Sequence, residues 1–122
     1  MVTDVLPSKP VKEIEIREFL DAANRSAFAR WFEGLNAAAA ARVTVALTRL
    51  SQGNFSNVEG VGNGVYELKI DFGPGYRIYF GKNGERIVIL LGGSSKKRQS
   101  DAIAAAQAAW ADYKRRKSIK ES

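Results

Sequence analysis

The 122-residue chain contains no cysteine, so it can hold no disulfide framework and do no thiol chemistry. It contains no histidine either, which removes the usual general base near neutral pH and the commonest metal ligand. No metal and no cofactor are expected. No apolar run approaches the roughly 20 residues of a membrane-spanning helix. The opening MVTDVLPSKP lacks the apolar core of a signal peptide. A cytoplasmic protein without a membrane partner is the resulting expectation. A nucleotide-binding P-loop is also missing, because the glycines of Gly73-Pro74-Gly75 and Gly81-Lys82-Asn83-Gly84 are each explained by hairpin turns.

A hydrophobic content of 45% suits a globular protein, and the length suits one domain with a real core. The expected layout is a flexible leader over residues 1–10, one domain over 11–113 and a basic tail over 114–122. The formal net charge is +6, and its distribution is uneven. Met1–Gly64 carries seven basic and seven acidic residues, whereas Val65–Asp101 carries seven basic against four acidic. The last ten residues add Lys114, Arg115, Arg116, Lys117 and Lys120 against Glu121. A basic excess favours polyanions and speeds encounter with them. In the tail it reads more simply as a solvated helix end whose cations complement the helix dipole.

Apolar periodicity divides the chain into seven elements. Val11–Phe19 alternates as a strand, with Ile14 and Ile16 on one side. Asn24 or Ser26 can cap a helix whose stripe is Phe28, Trp31, Phe32 and Leu35. Ala37–Gln52 is a second helix burying Val43, Leu47 and Leu50, its alanine run packing closely in a helical hairpin. The Gly- and Asn-rich Asn54–Gly64 reads as a loop. Val65–Phe72, Tyr76–Phe80 and Arg86–Leu91 read as three antiparallel strands, the last central. Gln99 or Ser100 opens a final helix burying Ile103, Ala106, Trp110 and Tyr113. The order β-α-α-β-β-β-α predicts an α+β fold, a small antiparallel sheet with a helical hairpin and a C-terminal helix packed on one face. One core should contain Trp31, Phe32, Leu47, Leu68, Ile78, Val88, Ile89 and Trp110.

Two groups of residues could carry chemistry. Lys69, Asp71, Arg77 and Tyr79 share the outward face of the first hairpin in either pairing register, because a strand repeats every two residues. Cross-strand pairing of Glu67, Lys69, Asp71 and Arg77 is the simpler account of them, worth a fraction of a kcal/mol per pair. The second group, Ser94-Ser95-Lys96-Lys97-Arg98-Gln99, enters the N-terminus of the last helix. Its three cations beside free amides suit a phosphate. A solvated loop is the competing account. The two groups gain weight together if the loop returns over the sheet and joins its charges to Lys69 and Arg77.

The stretch Tyr66–Asp101 resembles the C-terminal half of the RelE/ParE/HigB superfamily of bacterial toxins. The closest likeness is to addiction-module killer proteins and the phage-derived Gp49-like subgroup. The landmarks are GPGYRIYF at Gly73–Phe80 and LLGGSSKKRQSDAIAAA at Leu90–Ala106. The resemblance implies the toxin of a type II toxin–antitoxin pair, with a cognate antitoxin encoded by the adjacent gene. It implies a metal-independent endonuclease that cuts mRNA on the ribosome and blocks translation. DNA gyrase is the alternative target, and a non-catalytic binding module a further one. Carried over by position, Arg77, Lys69 and Lys97 fall at catalytic places, with Lys96 or Arg98 at the last if the alignment slides by one. Lys96, Arg98 and Tyr79 would hold substrate. Arg77→Ala and Lys97→Ala should then relieve toxicity with little loss of stability. Three departures stand out: Glu67 where the family has a second strand lysine, Ile103 where its last helix has a tyrosine, and no histidine near the end. Tyr76, Tyr79 or Tyr113 could substitute geometrically.

Overall fold

A computed structural model describes residues 13–121. The expected leader and the first two residues of the first strand lie outside them. The element order is β1 (Glu15–Glu18), α1 (Ala27–Glu33), α2 (Ala37–Ser51), β2 (Val58–Gly62), β3 (Val65–Ile70), β4 (Tyr76–Asn83), β5 (Ile87–Ser95) and α3 (Gln99–Glu121). A short 3-10 turn, Lys96–Arg98, joins β5 to α3. The strands form one five-stranded sheet in the order β1-β5-β4-β3-β2. The fold is α+β.

The sheet differs from the expected one in two ways. β1 runs parallel to β5, with Ile16 opposite Val88, while all other neighbours are antiparallel. The segment read as a loop also contains β2, which pairs with β3 through a bulge between Gly60 and Gly62. The central strand is therefore β4. β5 runs on through Gly92–Ser95, past a bulge opposite Tyr79 and Phe80.

The helices begin where capping chemistry allows. Ser26 accepts from the Ala29 amide at 3.0 Å and opens α1. Asn24, the other candidate, sits instead at a positive φ of 60° in the preceding turn. Asn36 opens α2 by accepting from Ala39 N at 2.8 Å. α1 and α2, joined by Gly34–Asn36, pack into one core on the same face of the sheet, with α1 resting on β5 and α2 on β3. Of the alanine run only Ala39 is fully buried.

Helices cover both faces of the sheet, not one. On the first face, Phe28, Ala39, Val43 and Leu50 pack with Leu68, Ile70, Ile78, Phe80, Val88 and Leu90. On the second, Ala106 and Trp110 of α3 pack with Phe19, Val65, Tyr79, Ile89 and Leu91. Trp31 and Trp110 thus belong to separate cores, because alternate residues of β3, β4 and β5 serve opposite faces. Leu68, Ile78, Val88, Ile89 and Trp110 are buried as expected, while Trp31, Phe32 and Leu47 are half-buried. Two glycines admit the indoles. A Cβ on Gly81 would lie 2.4 Å from the Trp110 ring, and one on Gly93 would lie 2.2 Å from the Trp31 ring.

Candidate functional site

The hairpin of β3 and β4 sets Lys69 opposite Arg77 and Glu67 opposite Tyr79, so the four share one face, as pairing periodicity requires. That face is the one α3 covers. Tyr79 and Arg77 are therefore not outward residues. Tyr79 has no exposed surface, and the side chains of Arg77 and Glu67 are only 8% and 2% exposed.

Burial forces each polar group on this face to find a partner. Arg77 Nε lies 3.7 Å from Glu67 Oε1, an ion pair without a hydrogen bond, and Nε has no other partner. Arg77 Nη1 donates to the carbonyl of Tyr76 at 3.1 Å. Gln99, the first residue of α3, donates Nε2 to Glu67 Oε2 at 2.8 Å. The Tyr79 hydroxyl meets Ser94 Oγ at 3.0 Å, and Ser94 Oγ donates on to the Ser95 carbonyl. Burial pushes the Tyr79 phenol above its usual range, helped by the nearby Glu67 carboxylate and opposed by Ser94 and Arg77. The hydroxyl is thus a neutral internal group, which removes Tyr79 from direct substrate contact in this conformation.

The basic segment takes a different path from the expected one. Ser94 and Ser95 remain in β5, and only Lys96, Lys97 and Arg98 form the turn, all three exposed. The turn does not sweep back over the sheet. It is tied to the β3–β4 turn instead, where Lys96 N donates to the Gly75 carbonyl at 3.0 Å. A Cβ on Gly75 would lie 3.4 Å from Lys96 Cβ and 3.9 Å from Arg77 Nη1, so both residues flank the same backbone. Lys69 sits further along and pairs with Glu59 of β2. Hydrogen bonding to Lys69 holds the Glu59 carboxyl below its usual range, with the Arg77 charge adding a smaller pull. The structure thus brings Lys96 and Arg77 together at one end of the sheet, with Lys97 and Arg98 on the adjoining turn.

Sequence reasoning expected cross-strand pairs of Asp71 with Arg77 and Glu67 with Lys69, but Arg77 pairs with Glu67 and Lys69 with Glu59, which lay in a presumed loop. Gln99, 32 positions from Glu67, carried no signal. Ile103 is half-buried against the second core. Tyr113 stacks on Trp110 with centroids 5.0 Å apart and accepts from Asn83 Nδ2 at 2.8 Å, at the opposite end of β4. A cleft of about 530 Å³ opens there between Phe19, Leu20, Arg116 and Lys117. Three of its four cations have internal partners: Arg17 pairs with Glu15, Arg116 binds Asp112 and the Leu20 carbonyl, and Lys117 binds Asn83. No group of acidic residues among those described could hold a metal ion. No helix among them is long and apolar enough to cross a membrane.

Fold and site together define a small α+β protein with a cationic turn beside a buried, charge-paired strand arginine. The chain belongs to the family described as phage derived protein Gp49-like, whose family model matches residues 30–114. That match takes in every element from late α1 to the body of α3, and with them the whole site. A protein of Haemophilus influenzae (strain ATCC 51907 / DSM 11121 / KW20 / Rd), described as an uncharacterized protein, is 38% identical over 76 residues, covering 61% of this chain and 77% of that one.

Proposed function

We propose that this protein is the toxin of a type II toxin–antitoxin pair, of the RelE/ParE/HigB kind, working in the cytoplasm as a metal-independent mRNA endonuclease on the ribosome. Membership of a phage-derived family and the resemblance at Gly73–Phe80 and Leu90–Ala106 support the class. The observation that carries the chemistry is the tie between Lys96 N and the Gly75 carbonyl, which fixes three exposed cations beside Arg77.

In this reading a ribose 2′-oxygen attacks the adjacent phosphorus. The new O2′–P bond forms as the P–O5′ bond breaks, leaving a 2′,3′-cyclic phosphate and a 5′-hydroxyl. The 2′-hydroxyl proton passes to a base and the leaving 5′-oxygen gains one. Lys97 and Lys69 are the candidates for proton transfer to and from the reacting oxygens. Lys96 and Arg98 hold the flanking phosphates. Arg77 supplies fixed positive charge from the floor of the site, partly balanced by Glu67, as the phosphorane forms. Tyr79 positions Ser94 and the end of β5. A cognate antitoxin would cover this basic face.

The test is purified protein with mRNA and ribosomes in the presence of a chelator. The proposal requires cleavage products ending in cyclic phosphate, lost in Lys97→Ala. Intact RNA under those conditions counts against it. A gyrase-directed toxin is the second reading. It draws on the burial of Arg77 against Glu67 and on Ile103 at the family's tyrosine position.

A further inference from the structure

The cleft of about 530 Å³ at the far end of β4 is walled by three elements: the end of β1, the end of β4 and the last turns of α3. Its size falls within the roughly 300–1,000 Å³ typical of binding clefts. Tyr113, Arg116, Lys117 and Lys120 line it from α3, at the spacing that places residues on one helix face. Phe19 and Leu20 form its apolar side, and Leu20 is 45% exposed. Arg116 is held across this side. Its guanidinium carbon lies 4.9 Å from the Phe19 ring centroid, and Nη1 donates to the Leu20 carbonyl at 3.0 Å.

The positive charge here is not cancelled within the protein. Asp112 pairs with Arg116 but also with Arg115, so one carboxylate serves two guanidiniums. The partner of Lys117 is the neutral amide of Asn83. Lys120 has no ion pair among the described residues. Glu18, the one acidic residue lining the cleft, accepts from the Ser26 hydroxyl. Arg17 pairs with Glu15, but both are more than half exposed, and such surface pairs are worth little.

We propose that this cleft docks an acidic, amphipathic segment of the antitoxin. An apolar side chain enters beside Leu20, and carboxylates meet Lys117 and Lys120. The proposal rests on the toxin reading given above and holds for either target of the toxin. Unanswered cations beside an exposed leucine suit a segment that carries both acidic and apolar side chains. RNA fits less well, because it would stack on aromatic faces. Here Arg116 lies over the Phe19 ring, and Tyr113 is stacked on Trp110. A second copy of the chain, at +6, brings the wrong charge, and residues 1–12 hold one acidic residue against two lysines. The cleft lies at the opposite end of β4 from the turn at Lys96–Arg98, so a segment seated there anchors the antitoxin without touching that turn. Such an anchor raises the effective concentration of whatever part of the antitoxin covers the basic turn.

The experiment measures the dissociation constant between the intact chain and the purified product of the adjacent reading frame. Leu20→Ser/Lys120→Glu should bind that product at least about tenfold more weakly than the wild type, and Leu20→Met/Lys120→Arg about as well. Melting temperatures should match, since both side chains are at the surface. Should Leu20→Ser lower the melting temperature, Lys117→Glu/Lys120→Glu still tests the rim, with a loss of several-fold expected. In cells the Leu20→Ser/Lys120→Glu variant should still arrest growth, and the adjacent frame should rescue it less well at equal protein levels. Equal affinity and equal rescue for wild type and variants would remove the cleft as a docking site and leave the toxin reading standing. A variant that loses affinity for a labelled single-stranded RNA, or for a second copy in gel filtration, while binding the antitoxin unchanged would also overturn the proposal. If the adjacent product does not bind the wild type, the toxin reading itself fails, and this inference with it.

Discussion

Arg77 follows the β3–β4 turn by two residues on a strand that α3 covers, so its charge needs a partner inside the protein. Glu67 provides one, and Gln99 completes the carboxylate's hydrogen bonding. This overturns the expectation that Arg77→Ala spares stability. Removing the guanidinium leaves Glu67 buried and unpaired, at a cost of about 3 kcal/mol, the low end for breaking a buried pair because Gln99 still donates. A urea midpoint that falls with an unchanged slope would show it. Arg77→Leu with Glu67→Leu should recover much of that loss, since a buried pair replaced by apolar side chains is often neutral. Tyr79 gives a pH signature. The folded state holds its phenol proton more tightly than the unfolded chain, whose tyrosines titrate near pH 10. Its contribution to stability is therefore complete below about pH 10 and is lost as pH rises through the folded value. Tyr79→Phe should flatten that alkaline decline in a series of denaturation midpoints. It should cost about 1 kcal/mol at neutral pH, because Ser94 keeps its bond to the Ser95 carbonyl. The sharing of a face by Lys69, Arg77 and Tyr79 was legible from period-two alternation alone. The burial of Arg77 and Tyr79 was not, because it depends on where α3 crosses, and the pattern of β4 does not encode that.

The elements dock through glycines that leave room for aromatic rings. Gly81 receives Trp110 from α3, and Gly93 receives Trp31 from α1 on the opposite face. Gly81→Ala should destabilise by about 1–3 kcal/mol through overpacking. Trp110→Leu should weaken that penalty, so the two substitutions should show a favourable coupling in a double-mutant cycle of urea midpoints. Penalties that simply add would mean the indole shifts freely. Most elements could be read directly: α1 and α2 from their caps and apolar stripes, β3 to β5 from alternation and turns. β2 was hidden because Val58–Gly62 holds two glycines and little apolar content. The parallel pairing of β1 with β5 brings together residues about 70 positions apart, for which local pattern carries no information.

Across the whole molecule, the sheet separates two cores and places its charged features at different edges. The turn at Lys96–Arg98 lies beside the β3–β4 turn, while the cationic end of α3 reaches Asn83 at the other end of β4. The basic excess of the second half was plain from the sequence. That Lys69 is neutralised by Glu59 and Arg77 by Glu67 was not, since those partners come together only in the fold. Exposed turn cations should matter more to activity than to stability. Lys97→Ala should relieve growth arrest with the melting temperature little changed, since surface substitutions usually stay within about 0.5 kcal/mol. Lys117→Ala, at the remote end, should leave growth arrest intact. The most direct test of the account is primer extension on cellular mRNA after induction, comparing the wild type with Lys96→Ala/Lys97→Ala/Arg98→Ala. The account predicts new 5′ ends within coding sequence for the wild type and none for the triple variant, at equal protein levels and equal melting temperature. Intact mRNA in growth-arrested cells, with plasmid supercoiling disturbed instead, would contradict it.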